Sequence, residues 1–102
     1  MTHKKLASGQ VASSAGSIYS ASGVTGYVKT IILHHTNTRV ESVTLYNDGT
    51  GDSNKFLKLS LDPDETVTWE FGHMFVVADG DNIQADTTTA SKVNFFLYGA
   101  EE

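Results

Sequence analysis

The feature that most constrains this chain is the alternation of apolar and polar side chains between residues 40 and 71. Side chains on a β-strand point to opposite faces with a period of two residues, whereas those on a helix repeat every 3.6 residues. Three segments keep the two-residue period, and polar turns at 48–54 and 62–65 separate them. Their apolar faces consist of Val43 and Leu45; Leu57, Leu59 and Leu61; and Val67, Trp69 and Phe71. The pattern predicts a three-stranded meander whose apolar face must be covered by the rest of the chain.

The remaining chain carries the same kind of signal, and no segment has a convincing helical period. Further strands are predicted at 17–22, 27–36, 72–77, 82–86 and 92–99, with Gly-rich or Asp-rich turns between most of them. About eight short strands, with Pro63 kept in a turn, indicate an all-β fold, an antiparallel β-sandwich. The short turns and the two long apolar strands, 27–36 and 92–98, fit a jelly roll or another Greek-key sandwich with those strands near the centres of the sheets.

Two of these strands are apolar on both faces. In 27–36, Val28 and Ile32 have one parity while Ile31 and Leu33 have the other, which predicts a central strand covered on both sides or a bulge that swaps the faces midway. Phe95 and its neighbour Phe96 must likewise point to opposite sides. At least one face of the last strand is therefore either covered by a second layer of the protein or exposed for a partner.

The first sixteen residues differ in composition from the rest. Residues 8–16 are rich in Ser, Gly and Ala, which contribute little to a core, and His3, Lys4 and Lys5 concentrate positive charge on an acidic chain. We predict an extended N-terminal arm over 1–16, ahead of a single sandwich domain over 17–102. A frayed terminus, an arm that orders on a neighbouring subunit and a short edge strand over 5–11 all remain open.

Composition narrows the classes of function. Seven basic against twelve acidic residues give a net charge of −5, which disfavours binding to nucleic acid or to an anionic membrane. The chain has no cysteine and therefore no thiolate chemistry. No apolar run reaches the roughly 20 residues that span a bilayer, and no secretory signal is recognisable. We expect synthesis in a cytoplasm.

Residues able to carry chemistry do not form a diagnostic pattern. His34 and His35 are adjacent on a strand and so point to opposite faces, and His73 has no acid or hydroxyl at a catalytic spacing. The 48–54 loop lacks the alternating oxygen ligands and closing Glu of a calcium loop. We predict no enzyme activity, catalytic residue, cofactor or metal ligand, and leave open a calcium ion shared between two loops.

Surface contacts are the more promising kind of site. Tyr46 and Phe56 have the opposite parity from the apolar residues of their strands, whereas Trp69 and Phe71 are expected in the core rather than on a sugar-stacking platform. The predicted partner interface comprises His3, Lys4, Lys5, Leu6, Val11, Tyr46, Phe56 and Phe96.

From about Ser17 onward, the chain resembles small β-sandwich structural proteins of tailed bacteriophage virions. The resemblance lies in an Ile-Tyr-Ser-Ala strand, the segments 28–33, 43–49 and 78–85, an Asp-Glu-Thr-Val turn and a closing Thr-Ala-Ser-Lys-Val-Asn-Phe with Tyr-Gly. Such proteins are capsid decoration (cement) proteins, head or neck fibres, and tail accessory modules. The segment 69–75 departs from the plainer aliphatic strands expected there.

The resemblance implies a passive role in assembly and transfers no active-site residue. It implies a capsid decoration protein on the virion surface that binds the major capsid protein or other virion proteins and self-associates, usually as a homotrimer or another multimer. The alternative is a tail, neck or fibre module that binds host carbohydrate through exposed aromatic residues such as Tyr46.

Overall fold

A computed structural model describes residues 2–102 as a sandwich of two antiparallel four-stranded sheets. The strands are β1 (Lys4–Gln10), β2 (Gly16–Ser20), β3 (Gly26–His35), β4 (Glu41–Asn47), β5 (Lys55–Leu61), β6 (Thr66–Val77), β7 (Asn82–Thr87) and β8 (Val93–Glu101). The first sheet has the order β1-β8-β3-β6 and the second the order β2-β7-β4-β5. This strand order is that of a jelly roll, which confirms the predicted fold class.

The core lies between the two sheets and is built from alternate residues of their strands. Its largest aliphatic members are less than 2% exposed: Ile31, Leu33, Leu45, Leu61, Ile83 and Leu97. Burying an aliphatic side chain of this size contributes about 1.5–3 kcal/mol, before the entropy of ordering it is subtracted. The core residues of β3 and β8 lie directly opposite each other, with Ile31 next to Leu97 and Leu33 next to Phe95.

β3 and β8, the two strands with apolar residues at both odd and even positions, are the central pair of the first sheet. β3 lies between β8 and β6, and its register shifts between Val28 and Thr30. Because of this bulge, Val28 and Ile31 both point into the core although their parities differ. The sequence left a central strand covered on both sides and a bulge as alternatives: the central position and the bulge are both observed, but no other strand within residues 2–102 covers the outer face of β3.

The predicted meander over 40–71 is wrong in its third strand. β4 and β5 pair as a hairpin, but β6 crosses to the other sheet and pairs with β3. On its inner face, Val67, Phe71 and Phe75 pack against the core, whereas Trp69 stays exposed. The separate strands predicted at 66–71 and 72–77 are one long strand, because both halves pair with β3.

The N-terminal segment also differs from the predicted arm. Lys4–Gln10 is strand β1 and pairs with β8 from Lys4 opposite Gly99 to Gln10 opposite Asn94. Small side chains at Ala7, Ser8 and Gly9 allow this close backbone pairing, and Gly9 lies against the ring of Phe95. The edge-strand interpretation of 5–11 is the one that the structure supports, and the sandwich begins before residue 17.

Candidate interaction surface

The outer faces of the two sheets differ in chemical character. On the second sheet, paired outward residues are polar: Ser42 beside Ser60, Thr44 beside Lys58 and Asp86, and Tyr46 beside Gln84. On the first sheet, the residues that alternate with the core positions include Ile32, Phe96 and Tyr98. An antiparallel sheet with one face in water normally keeps that face polar, so the first sheet is the exceptional one.

We call the outward residues Tyr27, Ile32, Val76, Phe96 and Tyr98 the apolar face. Ile32 lies directly opposite Phe96, and Tyr27 directly opposite Val76. Val76 is 55% exposed and Tyr98 is 38% exposed, while the other three are half-buried. Clustered apolar exposure on one sheet face is typical of a surface that binds another protein.

A second apolar region follows the open side of the sandwich between β5 and β6. We call Phe56, Trp69, Phe71 and Phe75 the aromatic edge. The ring centroids of Phe56 and Phe75 are 4.6 Å apart and those of Phe71 and Phe75 are 5.5 Å apart. β5 and β6 are edge strands, so each presents one row of backbone N–H and C=O groups that the sheets leave unpaired.

An irregularity in β6 shapes this edge. Glu70 pairs with Thr30 and Phe75 pairs with Val28, so residues 71–74 lie opposite Lys29 alone. The extra residues bulge away from the ladder and bring Phe71 and Phe75 to Phe56.

Trp69 was predicted in the core, and that prediction is only half right. It lies opposite Ile31 and so points to the inner side of the first sheet. Because β6 is the edge strand, no further strand covers the ring, and Trp69 remains 39% exposed. Period alone identifies the face of a strand but does not identify which strand lies at the edge.

Of the five N-terminal residues in the predicted interface, the three basic ones are on the surface. His3, Lys4 and Lys5 are exposed, and Leu6 is half-buried at a register shift in β1. Val11 is 1% exposed and belongs to the core. As a surface contact Val11 is therefore a wrong choice, because the chain turns inward directly after β1.

Tyr46 lies on the outer side of the second sheet, as its parity predicts, yet it is only 5% exposed. Its hydroxyl donates a hydrogen bond of 2.7 Å to Oδ2 of Asp86. This bond to Asp86 and partial burial raise the pKa of Tyr46 above its usual value. A buried and hydrogen-bonded ring offers no stacking platform, so the structure does not support Tyr46 as a carbohydrate contact.

Phe56 and Phe96 are placed in different surroundings. Phe56 falls at a register shift between β4 and β5, and this shift is why it packs with Phe71 instead of pointing away with Lys58. Phe96 is half-buried on the apolar face, beside Ile32. The predicted interface residues thus divide among the β1 edge, the core, the aromatic edge and the apolar face, and do not form one site.

A buried carboxylate is the most prominent polar feature that the sequence analysis missed. Glu41 is 1% exposed and accepts hydrogen bonds from Thr89 N at 2.7 Å, Thr87 Oγ1 at 3.1 Å and Asn37 Nδ2 at 3.2 Å. Burial by itself would raise the pKa of Glu41, but these hydrogen bonds outweigh it and hold the pKa below the usual value. The network ties the loop at 36–40, the end of β7 and the loop at 88–92 to the start of β4.

The histidines lie as their positions on the strand predict. His35 is fully buried, and its Nδ1 accepts a hydrogen bond from Asn37 N at 3.2 Å. His34 points outward, with Nδ1 2.8 Å from Thr66 Oγ1. The opposite orientations of the pair are confirmed, and His73 is exposed in the bulge of β6.

A second polar cluster joins the two sheets near the C-terminus. The hydroxyl of Tyr19 donates to Oε2 of Glu101 at 2.7 Å, and Lys4 Nζ forms an ion pair with Oε1 of the same carboxylate. Hydrogen bonds from Lys4 and Tyr19 lower the pKa of Glu101, while burial and the bond to Glu101 raise that of Tyr19. The cluster holds β1, β2 and β8 together. Its three side chains are bonded to one another, so we assign it a structural role.

Among residues 2–102, no group of three or more His, Cys, Asp or Glu side chains is arranged to hold a metal ion, and no pocket was found. The same residues include no helix long and apolar enough to cross a membrane. Comparisons with protein-family models, with curated proteins and with solved structures returned no match to this chain.

Proposed function

We propose that this chain is a bacteriophage virion structural protein, most specifically a capsid decoration protein that binds across neighbouring subunits of the shell. The observation that carries the proposal is the aromatic edge: an open side of a rigid sandwich, lined by four aromatic side chains beside unpaired strand backbone. The resemblance in sequence supports the same role. The jelly roll adds support by analogy, because this fold is frequent in viral capsid proteins.

The aromatic edge supplies both kinds of contact that a shell-binding module needs. Trp69, 39% exposed, can fill a pocket on a shell subunit, and buried Trp and Tyr anchors dominate the energetics of most interfaces. The free backbone edge of β6 or β5 can pair with an extended segment of the same subunit. Hydrogen bonds of that kind supply affinity with little demand on sequence.

Stabilisation of the shell would follow from copy number rather than from chemistry. Each bound copy favours the assembled shell over separated subunits, and the effect adds over all copies. A copy that touches two subunits at once gains further from effective concentration. The major capsid protein is the partner that this role requires.

The test begins with the number of copies of this chain per virion, measured by quantitative mass spectrometry. Hundreds of copies are expected for a decoration protein. Complete absence from virions would overturn the virion role, and a few to a few tens of copies would move the protein to a vertex, neck or tail.

The contact itself is tested by adding purified protein to shells that lack it and measuring bound protein and shell melting temperature. Trp69→Ala should reduce binding at least about tenfold, as expected for loss of a hot-spot residue. Lys58→Ala, an exposed change on the outer face of the second sheet, is the matched control and should bind normally. Equal binding by both variants would remove the aromatic edge from the proposal.

Deleting the N-terminal arm predicted from the sequence would not distinguish loss of shell binding from loss of folding. Removing residues 2–10 takes away β1 and leaves one edge of β8 unpaired, so loss of shell binding would report unfolding. Substituting Lys4 breaks its ion pair with Glu101 as well. Lys5→Ala, on an exposed side chain without an ion pair among residues 2–102, tests the basic N-terminus without these effects.

The carbohydrate-binding alternative now depends on Trp69, because Tyr46 is buried. A half-exposed indole at the rim of a sandwich can stack on a sugar ring. Retention of the intact protein on immobilised host glycans, lost in Trp69→Ala, would favour this function. No retention by the intact protein would exclude it.

A further inference from the structure

We propose that the apolar face of the first sheet is a self-association surface, on which a second copy of this chain packs face to face about a two-fold axis parallel to the strands. The inference does not depend on the virion role. It rests on the arrangement of apolar and charged residues across β1, β8, β3 and β6.

One row of outward residues crosses the sheet from edge to edge. Lys5 of β1 pairs with Tyr98, Tyr98 pairs with Thr30, and Thr30 pairs with Glu70 of β6. The row therefore has a cation at one edge and an anion at the other, with an aromatic ring and a threonine between them. Lys5 and Glu70 are both exposed, and neither has an ion-pair partner within residues 2–102.

The next row is the apolar centre of the face. Ser8 pairs with Phe96, Phe96 with Ile32, and Ile32 with Thr68. Phe96 and Ile32 stand on the two central strands, and small polar residues stand at both edges. An apolar centre with a polar rim is the usual anatomy of a protein interface.

A two-fold axis along the strands, between β8 and β3, makes both rows complementary to themselves. Such a rotation lays β1 of one copy over β6 of the other and β8 over β3, and leaves each row facing its own equivalent. Lys5 then faces Glu70 of the second copy at both edges, and Phe96 faces Ile32 of the second copy. Isologous contacts of this kind require that a patch match itself after rotation, and this patch does.

The remaining positive charge on the face fits the same arrangement. Lys29 is exposed at the β3 bulge next to the row of Thr30, and because β3 is a central strand it points outward. The rotation places it over the ring of Tyr98 of the second copy, which is the geometry of a cation–π contact. No like charges are opposed in these rows.

The size of the face sets the strength of the association. Four strands about 4.8 Å apart and seven residues of about 3.4 Å each give a flat area of roughly 450 Å² per copy. Specific interfaces bury about 800 Å² per partner, so this one lies at the low end even after the relief of side chains is counted. The dimer is expected to be weak and to form only in concentrated protein or where copies are held close together.

The test is sedimentation velocity of the full chain over a concentration series from roughly 10 µM to 1 mM, a range that covers weak dissociation constants. A reversible shift from the mass of one protomer to that of two is expected. Monomer throughout, or a mass of three protomers, would overturn the proposal.

Charge reversal identifies the surface. Lys5→Glu and Glu70→Lys each place like charges against each other twice per dimer and should weaken association by about tenfold. The double variant Lys5→Glu/Glu70→Lys restores both pairs in reversed order and should recover most of the affinity. Lys58→Glu on the second sheet is the control and should dimerise normally.

Single variants that behave like the wild type, or a double variant that fails to recover, would show that another surface is used. The two single variants change the net charge in opposite directions, so weakening by both together with recovery in the double variant requires that the two positions face each other between copies. This result also separates self-association from binding to a shell protein. A monomeric Lys5→Glu variant that still binds shells would leave the virion role intact, and a dimerising protein absent from virions would leave this inference intact.

Discussion

Replacing the buried Glu41 carboxylate by an amide tests the most consequential polar feature of the fold. In Glu41→Gln, the amide oxygen can still accept from Thr89 N and Thr87 Oγ1. The new amide nitrogen then faces the Nδ2 donor of Asn37. Asn37 cannot simply rotate, because its Oδ1 already accepts from Thr38 N at 2.8 Å.

The magnitude follows from the bonds lost and the charge removed. A hydrogen bond to a charged group contributes about 1.5–3 kcal/mol, and one such bond is replaced by two opposed donors. Relief from burying a charge offsets part of this loss. We expect Glu41→Gln to lower the free energy of unfolding by about 1–2 kcal/mol, which corresponds to a decrease in melting temperature of roughly 5–15 °C in a domain of this size.

The dependence on pH has a defined sign. The pKa of Glu41 is lower in the folded chain than its ordinary value of 4.5, so the folded state binds the proton less readily than the unfolded state. The contribution of the Glu41 carboxylate to folding stability is therefore fully present above the ordinary pKa. It is lost as the pH falls through the lower pKa of the folded state. The stability difference between wild type and Glu41→Gln should be constant near neutral pH and shrink below about pH 4.5.

Urea unfolding of both proteins across this pH range, followed by the fluorescence of the single Trp69, measures the difference directly. Glu70→Gln, the same chemical change at an exposed position, is the control and should lie close to the wild type in dilute protein. An unaltered stability for Glu41→Gln at neutral pH, or a difference that widens on acidification, would refute the assigned network.

Two further changes test backbone contact and the polar cluster. Gly99→Ala would press a methyl group into the carbonyl oxygen of Tyr27 on β3, so we expect loss of folding by circular dichroism, whereas Gly72→Ala meets no atom within 4 Å and should fold normally. Tyr19→Phe removes the hydroxyl that donates to Glu101 and should cost about 1–2 kcal/mol in urea unfolding. Because the pKa values of Tyr19 and Tyr46 are both raised, ultraviolet titration of the folded wild type should show tyrosines that ionise above the ordinary range, and the amplitude of that late phase should fall by one tyrosine in Tyr19→Phe. An unchanged titration in the variant would contradict this assignment.

The periodicity of the sequence was sufficient for the class of fold and for several of its details. The two-residue period of Leu57, Leu59 and Leu61 identified an inward face. The apolar residues at odd and even positions of 27–36 indicated either a central strand or a bulge, and β3 has both features. These properties are local, because the alternation of side chains is a property of the strand itself. Phe95 and Phe96 had to lie on opposite sides of β8, which left one of them either under a second layer or exposed for a partner. In the structure Phe96 is half-buried on the outer face.

The interface residues were harder to predict because exposure depends on strand order. Val11 and Tyr46 looked available from their sequence neighbours, but one enters the core and the other is covered and bonded to Asp86. Trp69 shares the inward parity of Val67, yet it lies at an edge. A bulge also redirected Phe56 toward Phe71.

The sequence by itself determined that this chain forms strands, which side of each strand is apolar, and where most of the turns fall. The tertiary structure alone decided which strands are neighbours: β6 beside β3 rather than β5, and Lys4–Gln10 within the first sheet rather than apart from it. Pairing between strands joins residues far apart in the chain, such as Lys5, Tyr98 and Glu70, and no local pattern records it. Both surfaces proposed for binding, and the burial of Glu41, follow from that pairing.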